Sequence, residues 1–104
     1  MTQKRLLQIQ KRIDAIKVKL AAIDEMRPGS LSRQYKDPET HTGAYYQLSY
    51  TRDMKSRTQY VARDALRDVR RQIENHKRFK ALTTQWVDLG IEHSRLKMKL
   101  ARKP

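Results

Sequence analysis

Residues 3–29 read QKRLLQIQKRIDAIKVKLAAIDEMRPG. Within them Leu6, Ile9, Ile13, Ile16, Leu20 and Ile23 recur at alternating steps of three and four, the spacing that lays apolar side chains along one seam of a helix for nearly three heptads. Met26-Arg27-Pro28-Gly29 then supplies a residue that cannot continue a helix and one that tolerates positive φ. A helix over 3–26 is therefore expected, and it fixes the frame for the rest of the chain.

After Ser30 the apolar period changes from 3.6 to two. Leu31 to Tyr35, Ala44 to Tyr50 and Ser56 to Val61 alternate aromatic, β-branched and hydroxyl residues, a pattern for three antiparallel strands over 30–61. Lys36 to Gly43 reads as a long polar loop and Thr51 to Lys55 as a five-residue hairpin loop. One sheet face would carry Tyr46, Leu48 and Tyr50, the other Tyr45, Gln47 and Ser49. So small a sheet needs a helix on its apolar face.

Helical periodicity returns over 62–101. Leu66, Val69 and Ile73, then Phe79, Leu82, Trp86, Leu89, Leu96 and Leu100 form the stripe, with His76 and His93 on the seam and Gly90 as its interior breaker. One helix here would be about 60 Å long against about 35 Å for the first. Either the chain folds back at Gly90 or a second copy covers the remainder, which makes a homodimer one expectation. The fold class expected is α+β in a single domain, 1–104, with the long terminal helices forming an antiparallel coiled-coil-like pair around a three-stranded antiparallel sheet.

Composition narrows the function. The 104 residues hold 24 Lys and Arg against 11 Asp and Glu, a net charge of +13, with 38% hydrophobic residues and no cysteine. Disulfide scaffolds and cysteine zinc sites are excluded. No apolar run reaches the length of a membrane span or signal core, so a cytoplasmic protein without a membrane partner is expected, nucleoid-associated if it binds DNA. The charge points to a polyanion, most simply nucleic acid.

Residues 61–104 carry twelve basic and five acidic residues, the largest excess in the chain. On a helical wheel Arg63, Arg67, Arg70, Arg71, Lys77 and Arg78 fall within roughly 120° of arc, opposite Leu66, Val69 and Ile73, with Glu74 interrupting them. That face could follow a phosphate backbone; a solvated helix surface is the plain alternative. A second surface is the hairpin, where Tyr45, Gln47, Arg52, Lys55, Arg57 and Gln59 supply groups that stack on bases, read their edges or hold phosphates. Its plain alternative is that the tyrosines pack on the helices. The tail from Arg95 to Lys103 alternates basic and apolar residues, suited to a phosphate backbone or an anionic surface, or simply to a fraying end.

Nothing supports catalysis: no glycine-rich phosphate loop, no paired carboxylates in an apolar setting, no metal cluster among His41, His76 and His93, and no base near Ser30 or Ser32. No cofactor and no metal is expected.

The run Gly29-Ser30-Leu31, then His41-Thr42-Gly43-Ala44-Tyr45-Tyr46-Gln47-Leu48-Ser49-Tyr50, then Lys55 to Val61 and a basic helix with Ile73-Glu74-Asn75-His76 resembles a small prokaryotic domain family of unknown function, over about residues 10–85. The resemblance implies the helix–sheet–helix layout. Members of that family often carry cysteines between the equivalents of Leu31 and His41, which implies a metal knuckle; Tyr35 to Thr40 stand there in this chain, so no metal role carries over. Three strands followed by a helix are also similar to the sheet-plus-helix DNA-binding modules of integrases, a likeness of fold alone. The function expected is non-enzymatic nucleic-acid binding, DNA ahead of RNA. Two alternatives are a small phage or mobile-element factor docking on an acidic surface of a nucleic-acid enzyme, and an RNA-binding ribonucleoprotein component.

Overall fold

A computed structural model describes residues 2–102; Met1 and the last two residues of the basic tail, Lys103 and Pro104, lie outside the described residues. The elements are α1 (Thr2–Ala21), β1 (Ser30–Asp37), β2 (Thr42–Arg52), β3 (Lys55–Val61), a 3-10 turn (Arg63–Ala65) and α2 (Leu66–Ala101). The α+β class and the helix–sheet–helix order are as expected. Two compact units divide the chain: a helical unit of residues 1–24 and 78–104, and a sheet unit of residues 25–77.

In the sheet unit, β2 is the central strand, antiparallel to both neighbours. Its pairing sets Leu48 opposite Leu31 and Gln59, and Tyr46 opposite Arg33 and Val61. Directly opposed residues share a face, so Leu31, Tyr46, Leu48, Tyr50 and Val61 lie together, and they pack with Leu66, Val69 and Ile73 of α2 around buried Leu48. Gly29 is required here: its φ is +141°, and a Cβ would fall 2.7 Å from Leu48 Cδ1. The segment before the sheet is tied to α2 within this unit. The Arg27 backbone N–H donates to the Gln72 carbonyl at 3.2 Å, and Asn75 Nδ2 donates to the Glu25 carbonyl at 2.8 Å.

Both hairpin connections are shorter than expected. Pairing between β2 and β3 continues through Thr51–Ser56 to Arg52–Lys55, leaving a two-residue turn at Asp53 and Met54 instead of a five-residue loop. Their φ values are +54° and +64°, the left-handed pair that matches strand twist in a type I′ turn. The polar loop from Lys36 to Gly43 shrinks for a similar reason, since Asp37 pairs with Thr42 and only Pro38 to His41 turn. Asp37 Oδ1 accepts the Glu39 N–H at 3.1 Å and lies 3.5 Å from that of Thr40.

The first helix stops five residues before Met26. The Ala22 N–H is shared between the carbonyls of Val18 and Lys19, both at 3.2 Å, and the Ile23 N–H reaches Leu20 at 3.1 Å. These three-residue steps tighten and end the helix, although Ile23 still packs on the apolar cluster. In the helical unit that cluster comprises Ile9, Ile13, Ile16, Leu82 and Leu89, flanked by Leu20, Ile23 and Leu96. Arg5 clasps Glu92 with Nε to Oε2 at 2.7 Å and Nη2 to Oε1 at 2.9 Å, while Lys17 Nζ lies 5.4 Å from the Trp86 ring centre. The Arg5 hydrogen bonds hold the Glu92 carboxyl below its ordinary value against a partial opposing effect of burial, helped by the charges of Arg5, Arg12 and Arg95; the same pair raises Arg5.

Gly90 does not interrupt α2, and a Cβ built there meets nothing within 4 Å. Gly90→Ala should therefore raise unfolding free energy by about 0.5–1 kcal/mol in denaturant titrations, and a loss of stability would contradict this packing. Because Glu92 has a depressed folded-state pKa, its stabilising contribution is complete above the unfolded value of roughly 4.3 and is lost as pH falls through the folded one. The stability gap between the wild type and Glu92→Gln should be constant from neutral pH to about pH 5 and close in stronger acid. A gap that persists at low pH would show that the carboxylate charge is not its source.

Candidate nucleic-acid interface

The pleat of β2 and β3 separates the hairpin residues that the sequence groups together. Arg52, Lys55, Arg57 and Gln59 fall on the same face as Tyr50, at the turn end of the sheet. Arg52 stands directly opposite Lys55, and Arg57 directly opposite Tyr50. Arg27, which the sequence reading passed over as part of a helix stop, joins them: its guanidinium carbon lies 4.9 Å from the Tyr50 ring centre, with Nη1 3.5 Å from Gln59 Oε1 and Nε 3.4 Å from the Pro28 carbonyl. Tyr50 packs against the core and at the same time offers its ring to a cation.

Arg27 thus stacks on one half-buried tyrosine, Arg57 stands opposite it, and Arg52 and Lys55 follow on the same face toward the turn. Neither β2 nor β3 places an acidic residue on this face; Asp53 lies in the turn between the strands. Like charges directly opposed across a ladder work against pairing by a few tenths of a kcal/mol or more. A polyanion laid across them would relieve that repulsion.

Tyr45 and Gln47 face the other way. With them lie Ser30, Ser32, Gln34 and Lys36 of β1, Ser49 and Thr51 of β2, and Ser56, Thr58 and Tyr60 of β3. Lys36 is the single charged residue in this set. The Tyr45 and Tyr60 rings lie 6.4 Å apart, tilted by 40°. Gln34 Nε2 donates to Ser32 Oγ at 3.1 Å, and the hydroxyls of Thr51 and Ser56 meet at 3.1 Å. A shallow groove of about 540 Å³ runs between this hydroxyl row and the cationic end, lined by Ser30, Ser49, Tyr50, Thr51, Arg57 and Thr58 among others.

The expected arginine face of the last helix is less uniform than a wheel suggests. Arg63 precedes α2, in the 3-10 turn. Arg70 and Lys77 sit beside the apolar stripe instead of opposite it: Arg70 places its guanidinium 5.4 Å from the Tyr46 ring, and both line a groove with Gly29, Ser30 and Leu31. Arg71 pairs with Glu25 at 3.2 Å and lies 3.9 Å from Asp68, and Lys77 pairs with Glu74 at 3.4 Å. Arg67 is exposed, and Arg78 is the first α2 residue of the helical unit.

The units also divide the charge unequally. The sheet unit has eleven basic and seven acidic residues, a net +4, whereas the helical unit has thirteen and four, a net +9. On α1 the exposed residues Lys4, Gln8, Lys11, Arg12, Ala15 and Lys19 form an outward stripe without an acidic member. The sequence could have shown it, had the apolar seam been used to ask what its far side carries. Among the described residues no helix is long and apolar enough to cross a membrane, and no three His, Asp or Glu side chains converge as metal ligands do.

A family model described as a domain of unknown function (DUF6788) matches residues 6–71, from Leu6 in α1 through the whole sheet to Arg71 in α2. The hairpin cluster lies inside this stretch; Lys77, Arg78 and the rest of α2 lie beyond it. No curated protein and no solved structure matches the chain. With well over half of its length matched, the chain belongs to the uncharacterised domain family DUF6788.

Proposed function

We propose that this protein binds nucleic acid without catalysing a reaction, DNA in preference to RNA, and that the cationic end of the β2–β3 hairpin is the part that grips it. The observation that carries this reading is the placement of Arg52 opposite Lys55, with Arg57 and the Tyr50-stacked Arg27 on the same face and no carboxylate among the strand residues beside them. Charge repulsion of this kind is retained where a phosphate backbone supplies the counter-charge. Tyr50 is held by Arg27, and the adjoining hydroxyls of Ser49, Thr51, Ser56 and Thr58 are groups that bond to phosphate and sugar oxygens. A two-stranded ribbon has the width to enter a major groove, which favours duplex DNA over the deep, narrow groove of duplex RNA.

Arg67 on α2 and Arg63 in the 3-10 turn before it add positive charge with no ion pair among the described residues, while Arg71 and Lys77 are engaged by carboxylates. The hairpin should therefore dominate the salt dependence. Titrating nuclease-treated protein with double-stranded DNA, single-stranded DNA and structured RNA at several salt concentrations gives log K against log salt for each. Replacing Arg52, Lys55 and Arg57 by alanine together should reduce the slope on duplex DNA by roughly 2–3, and replacing Arg67, Arg70 and Arg71 together should reduce it less. Equal or reversed effects would move the phosphates to the helix. Absence of binding to all three at low salt would overturn the proposal and leave an acidic protein surface as the account of the net +13.

A further inference from the structure

In the helical unit, α2 turns Leu82, Leu89 and Leu96 toward the cluster it shares with α1. On the opposite side of the same helix, Thr84, Val87, Ile91, Ser94, Met98 and Ala101 repeat at steps of three and four, a second heptad seam. Its large members stand in solvent: Val87 is 60% exposed, Ile91 53% and Met98 60%. Single exposed apolar residues are ordinary, but three in register on one helix face are a surface built to be covered.

Charge along the helix says by what. Residues 81–94 contain Asp88 and Glu92 and no Lys or Arg, while residues 95–102 contain Arg95, Lys97, Lys99 and Arg102 and no acid. Reversed, the cationic stretch 95–102 lies along residues 83–90, which carry Asp88 and no cation.

We infer that a second copy of the chain covers this seam, the two α2 helices running antiparallel about a two-fold axis between residues 92 and 93. That register makes every layer complete: Thr84 meets the second copy's Ala101, Val87 its Met98, and Ile91 its Ser94, with each pairing repeated by symmetry. It also brings Asp88 beside the second copy's Arg95 on both flanks. Asp88 has no ion-pair partner of its own among the described residues, whereas Glu92 is already held by Arg5. A parallel pair would set the four cations of residues 95–102 against their own copies and leave Asp88 facing Thr83. The interface uses none of the hairpin cations, so its test stands apart from that of nucleic-acid binding.

Sedimentation equilibrium of the full, nucleic-acid-free chain at micromolar concentrations should give twice the chain mass. Ile91→Lys and Met98→Lys should each raise the dimer dissociation constant by roughly tenfold or more with the circular dichroism of the helices retained, while Val18→Lys on α1 should not. Asp88→Lys and Arg95→Glu should each weaken the dimer, and the double replacement should restore it. The chain has no cysteine, which allows a direct reading of direction. Thr84→Cys mixed with Ala101→Cys should form an intermolecular disulfide on mild oxidation, and Thr84→Cys alone should not. A monomer at all concentrations, a dimer indifferent to Ile91→Lys, or cross-linking of Thr84→Cys to itself would each overturn the inference.

Discussion

The burial of Leu48 between its strand neighbours and α2 is the constraint on which the sheet unit depends. Leu48 is almost wholly removed from solvent, opposite Leu31 on one strand and Gln59 on the other, with Val61 and Ile73 completing its surroundings. Gly29 leaves room for it, since any side chain there would collide with Leu48 Cδ1. A strand alternates its faces with a period of two, so fixing Leu48 inward also fixes Tyr50 and Arg52 on that face and Tyr45, Gln47 and Ser49 on the other. A slip of one residue would bring the hydroxyl row against α2 and bury polar atoms without partners. The position of the cations at the hairpin end thus follows from a core contact two and four residues away.

Much of this was legible in the sequence, and the parts that were not have identifiable causes. The two helices and three strands follow from the switch of apolar period at Pro28-Gly29 and back at Val61, and the faces of β2 follow from simple alternation. The two-residue hairpin turn is hidden in the sequence because Met54 is not a residue that signals a left-handed turn, and because Thr51 and Arg52 look like loop residues until Ser56 and Lys55 are seen across from them. The end of α1 is hidden too, because its apolar spacing outlasts its hydrogen bonds, with Ile23 packing from beyond the last turn.

Arg27 escaped notice for a different reason. Next to a proline and a glycine it looks like punctuation, and its value arises only when β2 presents Tyr50 to it across more than twenty residues of chain. Tyr50 both packs on the cluster around Leu48 and lies under a guanidinium. Conversely, the arginine face of α2 is less uniform than its spacing suggests. A helical wheel knows nothing of Glu25, which comes from another segment to meet Arg71, or of Tyr46, over which Arg70 lies. Long-range neighbours decide which cations remain available, and charge counting along one helix cannot supply them.

The central claim is that the turn end of β2 and β3 meets the nucleic acid. Its most direct test is amide and arginine side-chain NMR of the uniformly labelled protein during titration with a short DNA duplex. The account predicts the largest shifts at Arg27, Tyr50, Arg52, Lys55 and Arg57, with the Leu82 to Leu89 segment of α2 unaffected. Shifts confined to the helical unit, with the hairpin signals unmoved at saturation, would contradict it.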